Sequence, residues 1–267
     1  AFTDQDGFAV SGIAAGAGVT LVASTGAITQ TGAITGTALD VTATGAGGLV
    51  TLANAGNDVA SVDGQSRGSF AYRDATDLSV GQVASNAGDV SLRAGGNLVV
   101  AGDVQAAQVA RLQAGGDLTQ ANASTIQADQ LLAVAGGRVD LTGETSNTVD
   151  TFAARGTEVS YRNQGSLTIG SVAGDATVND GLTQAGIAAD PGPVRIFVVP
   201  SGGAPDLVVD QPIQSQRILL SLAGSGHLRL GNSTLAGVGG GSPALVVLDA
   251  TDGAVPDNLN AVPTFAG

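Results

Sequence analysis

The chain has 267 residues, a net charge of −13 and an isoelectric point near 4.1. Only ten basic residues, all arginine, stand against 23 acids, which argues against nucleic acid and anionic membranes as partners, since both call for Lys/Arg-rich faces. Aspartate supplies 21 of the acids; it favours turns, whereas the near-absent Glu and the absent Lys are helix formers, which argues strongly against a helical protein.

At 43% hydrophobic the chain is no disordered acidic polymer. Its 41 glycines follow no Gly-X-Y period, which rules out collagen. Aromatics make up only 3%, so the core must be built from Val, Leu, Ile and Ala, which suits a narrow interior. Cysteine is absent. No apolar run approaches the ~18 residues of a membrane span. The opening AFTDQDGFAV is no signal peptide, so export implies a signal that was removed or lies outside this segment.

In chain order, Asp4-Gln5-Asp6-Gly7 looks like half a calcium loop but reads as an Asx turn. Gly18-Val19-Thr20-Leu21 and Leu39-Asp40-Val41 read as coil strands. They are offset from the later columns, and an inserted half-coil or a long loop near 43–49 is expected to account for this. From Leu52 a fixed period appears. Leu52, Tyr72, Leu92, Leu112, Leu132, Phe152 and Val172 recur every 20 residues and are all apolar, so they are expected to stack as one core column. Gly56, Thr76, Gly96, Gly116, Gly136, Gly156 and Ala176 form a second column of small residues. Asn57, Asp77, Asn97 and Asp117 form a third, expected to be a ladder of stacked turn side chains. Such a period marks a repeat protein whose units stack on one another.

Residues 88–107 show one period. Val90 and Leu92 alternate with Ser91 and Arg93, Gly95-Gly96-Asn97 turns, Leu98, Val99 and Val100 form a second strand, and Val104 begins a third. Parallel stacking of such coils at ~4.8 Å predicts about 10–12 coils in a rod ~50–60 Å long. The alternation also predicts that Leu112→Asp disrupts folding, whereas Ser91→Asp on the outer face is nearly silent. A Thr-Gln pair recurs at Thr29-Gln30, Thr119-Gln120 and Thr183-Gln184. All eight prolines lie at or beyond Pro191, and proline cannot donate to a ladder. Residues 1–175 are therefore read as regular β-helix. Residues 176–267 are read as an irregular, Pro-containing continuation or a capping or assembly segment, with a flexible loop over 237–243.

The stretch Gly88-Asp89-Val90-Ser91-Leu92-Arg93-Ala94-Gly95-Gly96-Asn97-Leu98, the stretch Leu52-Ala53-Asn54-Ala55-Gly56-Asn57-Asp58-Val59, and the Gly-x-Ile-Thr-Gln at 26–30 carry a likeness. They resemble the filamentous-haemagglutinin-type repeats of two-partner-secretion exoproteins over roughly residues 15–175. The resemblance implies a right-handed parallel β-helix (a β-solenoid) and export across a Gram-negative outer membrane by a secretion partner. It also implies, for many members, a role as adhesin or contact-dependent effector. The family's secretion domain carries Asn-Pro motifs; none occurs here, which implies a downstream shaft segment.

Chemistry-bearing residues are sparse. His227 is the only histidine, so a multi-His metal site is impossible and His227 reads as solvated. Asp249-Ala250-Thr251-Asp252-Gly253 is a further calcium-like fragment without the rest of an EF-hand. Asp74 with Asp77, and Asp58 with Asp63, lie close in sequence, but no aromatic sugar platform accompanies them. No catalytic, cofactor-binding or metal residue is assigned, and no cofactor. The expected function is that of a secreted or cell-surface bacterial adhesion protein, a rigid non-enzymatic shaft whose host-cell or surface receptor or glycan the sequence does not name. One alternative is a self-assembling subunit of an extracellular filament or sheath, associating through coil ends. A weaker one is a polysaccharide-active β-helix enzyme.

Overall fold

Strand Val90–Ala94 shows how a coil is made. Val90, Leu92 and Ala94 are buried inward and Arg93 faces out, as a side-chain period of two requires. The strand pairs in parallel on both sides, which sets Leu92 between Tyr72 and Leu112. After a turn, Leu98–Val100 pairs in parallel with Leu78–Ser85 and Leu118–Gln120. After another, Val104–Ala106 pairs with Leu78–Ser85 and Ile126–Ala135. The structure, a computed structural model, describes residues 1–143, 147–178, 180–231, 233–237 and 245–250. Over these the chain is a helix-free parallel β-solenoid of about 11 turns, about 21 residues per turn.

Two long ladders run the length of the solenoid. One passes from Phe2–Asp4 to Leu245–Ala250. The other passes from Phe8–Val10 to Leu228–Leu230 and Leu235–Ala236. Between them lies one continuous, mainly aliphatic core. The offset of the early strands needs no inserted half-coil. Val19–Ala23 stands on the first ladder and Leu52 on the second, and the coil from Ile28 to Val50 is merely two residues longer than the next, from Val50 to Phe70.

The expected core column holds through Leu52, Tyr72, Leu92 and Leu112 and then changes. Leu112 pairs with Ala133, not Leu132, because the coil running from Ala110 to Leu131 is one residue longer than the three immediately before it. A one-residue slip turns every side chain to the opposite face. Leu131 therefore enters the core, and Leu132 points outward. Phe152 stays inside, aligned with Leu131 in the neighbouring column. Val172 leaves the coil altogether.

Val172 belongs to an excursion over residues 170–186. Phe152 and Ala154, two residues apart, face Ile169 and Ile187 on the next coil. The intervening residues form a hairpin, Ser171–Val172 antiparallel to Gln184–Ala185. Its base is closed by the Gly186 N–H donating to the Gly170 carbonyl, 2.8 Å. The hairpin lies as a strap over the outer face of the second ladder. Val172 packs there against Leu132, Val134 and Ala153. The Arg111 Nε–H donates to the Ala173 carbonyl at 2.7 Å, and Arg111 pairs with Asp89 at 2.6 Å. Arg93 pairs with Asp180 at 2.7 Å and donates to the Val178 carbonyl. Beyond the strap the coils resume on the same ladders. The irregularity expected after residue 175 is thus this excursion together with turns holding Pro191, Pro193, Pro200, Pro205 and Pro212. The 237–243 loop lies, after residue 237, outside the described residues.

Candidate binding face

The third column resolves into two devices. Asp77, Asn97 and Asp117 form a true ladder. The Asn97 N–H donates to Asp77 Oδ1 (2.7 Å), that of Asp117 to Asn97 Oδ1 (2.8 Å) and that of Arg138 to Asp117 Oδ1 (3.0 Å). Each side chain thus holds the backbone of the next coil rather than the next side chain. The same oxygens lie where a Cβ on Gly96, Gly116 or Gly137 would stand. Of the column of small residues, Gly96 and Gly116 seat this ladder, and Gly137, not Gly136, continues their register.

Asn57 is not a member. The turn before it is two residues longer than that before Ala75, and the Ala75 N–H donates to the Asn57 carbonyl. Asn57 is instead fully buried, with reciprocal amide bonds to Gln30 (2.7 and 3.0 Å) and with bonds from the Ile34 N–H and to the Leu52 and Arg73 carbonyls. Beside it, the buried Asp74 accepts from the Tyr72 hydroxyl (2.8 Å) and the Val59 N–H (3.0 Å). The set recurs as Gln120 with Asn147 and Tyr161 with Asn163, where Asn163 accepts from the Tyr161 hydroxyl and the Val149 N–H. Two of the three Thr-Gln pairs are thereby explained; the third glutamine, Gln184, lies on the strap. Burial, with the neighbouring Asp74 carboxylate, raises the Tyr72 phenol far above its ordinary value, and burial alone raises that of Tyr161.

These polar groups are closed in the fold and serve it. A column of outward side chains lies beside the first ladder. There Thr42, Gln65, Ala84, Gln105, Gln127 and Thr148 stack in register across six consecutive coils. Two shallow troughs follow this column. One, of about 440 Å³, is lined by Asp40, Thr42, Asp63, Gly64, Gln65 and Gln82. The other, of about 430 Å³, includes Gln105, Gln127, Asp129, Thr148 and Asp150. Each holds two carboxylates, and neither is lined by a cation or an aromatic ring. The column has a signal in the sequence, glutamines at one- or two-coil spacing on outward strand positions, which the search for acidic pairs passed over.

The other candidates fall elsewhere. Of Asp74, Asp77, Asp58 and Asp63, Asp58 and Asp74 share the Thr76 hydroxyl (2.9 and 3.3 Å), while Asp63 accepts from the Gln82 N–H (2.9 Å). Asp4 accepts from the Asp6 N–H, the Asx turn expected. The fragment at 249–253 lies, beyond residue 250, outside the described residues. His227 is exposed beside Asp206, 3.2 Å away, with Arg229 on its other oxygen. The His227 backbone N–H, above all, holds the Asp206 carboxyl below its usual range. Among the described residues no group of three His, Cys, Asp or Glu is placed to hold a metal ion. These features define a parallel β-solenoid repeat protein. No protein-family profile, curated protein or solved structure matches the chain.

Proposed function

We propose that this chain is a rigid shaft of a secreted or surface-displayed bacterial adhesion protein, of the filamentous-haemagglutinin kind its repeats resemble, and that it serves attachment. The observation that carries this reading is the pair of ladders unbroken across about 11 turns. Each coil bonds to the next along the axis, so the body is stiff in that direction, while flat outer faces stay free to meet a surface. The polar column and its troughs form one such face. Export and an outer-membrane secretion partner belong to this reading through the resemblance of the repeats.

The test combines negative-stain microscopy of the purified chain over a range of concentrations with immunolabelling of intact Gram-negative cells producing it within its full gene. The expected result is single rods about 50 Å long and label on the cell exterior. Regular filaments growing with concentration would replace the shaft by a self-assembling subunit. Label reachable only after lysis would overturn the reading.

A further inference from the structure

We infer that the outward column of Thr42, Gln65, Gln105, Gln127 and Thr148 is a binding track for an extended neutral glycan lying along the solenoid axis. The inference rests on the attachment reading above and names its ligand class. Three observations converge. The side chains are uncharged, combined donors and acceptors, or hydroxyls, held in register by the strand pairing. Flanking carboxylates Asp40, Asp63, Asp129 and Asp150 are exposed and accept hydrogen bonds from sugar hydroxyls. The step between coils is ~4.8 Å, close to the length of one pyranose ring, so each coil meets one sugar.

The same chemistry excludes other occupants. Four carboxylates with no cation among the lining residues repel sulfated or uronic glycans and nucleic acid. The troughs offer no aromatic or large apolar anchor of the kind that carries protein interfaces. A cationic peptide would use the carboxylates and leave the carboxamide column without purpose. Ala84 is the gap in the track, aligned between Gln65 and Gln105 and separating the two troughs.

The test is binding of the intact chain to immobilised mannan, dextran and xyloglucan as neutral polymers, with heparin and polylysine as charged controls. The expected result is retention by at least one neutral polymer that survives raised salt. It falls about tenfold in Gln105→Ala/Gln127→Ala, a loss typical of a few hydrogen bonds, and rises in Ala84→Gln, which closes the gap. Circular dichroism melting confirms that these outward variants stay folded. Retention by heparin or polylysine alone, no retention by any polymer, or indifference to the double variant would each overturn the inference. Single surface-displayed rods that bind no sugar would leave the shaft reading standing and remove only this one.

Discussion

Tyr72 and Tyr161 occupy matching slots, each hydroxyl donating to a buried side-chain oxygen, of Asp74 in one case and Asn163 in the other. Their raised pKa values have a measurable consequence because the chain has no Lys and no Cys and only these two tyrosines. They are the only side chains that ordinarily titrate between about pH 9 and 12. A group whose folded-state pKa is raised contributes stability fully below its unfolded value, near 10, and loses it as pH climbs beyond. The melting temperature is therefore expected to hold to about pH 10 and then fall, by about 1.4 kcal/mol of stability per pH unit for each phenol. Tyr72→Phe/Tyr161→Phe is expected to flatten that limb; an unchanged slope would refute the assignment.

Ser91 is a second residue whose behaviour follows from its surroundings. It faces outward as its alternation with Leu92 indicates, yet it is only 1% exposed and its hydroxyl finds no partner among the described residues. Ser91→Asp is thus not the silent change that the alternation alone suggests. It buries a carboxylate and is expected to cost several kcal/mol, comparable with Leu112→Asp. Ser91→Ala removes an unsatisfied hydroxyl and is expected to be neutral or stabilising by up to about 1 kcal/mol. Urea melts of the three variants check this.

At the scale of the element, strand Ile126–Ala135 and the strap explain each other. Leu131, Leu132, Ala133, Val134 and Ala135 are all buried, so this second half of the strand has no polar face, the mark of a strand covered on both sides. That signal was legible in the sequence. The identity of the cover was not, because it comes from residues 170–186, far along the chain. Replacing 170–186 by a single glycine preserves the two-residue spacing between Ile169 and Ile187 that the preceding coil dictates. The coils are expected to persist in far-ultraviolet circular dichroism, while Leu132, Val134 and Ala153 become exposed and bind an apolar dye such as ANS. Absence of new dye binding would show that the strap is not their cover.

For the whole molecule, stability in a solenoid is mainly a matter between neighbouring coils. The strap is the exception. Through Arg93, Arg111, Leu132 and Ala153 it touches four successive strands of one ladder, from Val90–Ala94 to Thr148–Gly156, and so ties together coils that otherwise meet only their neighbours. The same arrangement shows what each level of description determined. The sequence by itself determined an all-β coil of about 20 residues, its inward and outward positions over several turns, and the Asp77–Asn97–Asp117 ladder. Period-two alternation and stacked turn residues are local and repeat in register. Only the tertiary structure decided that Leu132 faces out, that Asn57 turns in and that Ser91 is covered. A one- or two-residue change of coil length inverts or displaces a side chain without altering composition. The landing place of a hairpin is set by contacts such as Arg111 with Ala173 and Arg93 with Asp180, 62 and 87 residues apart, which no local period encodes.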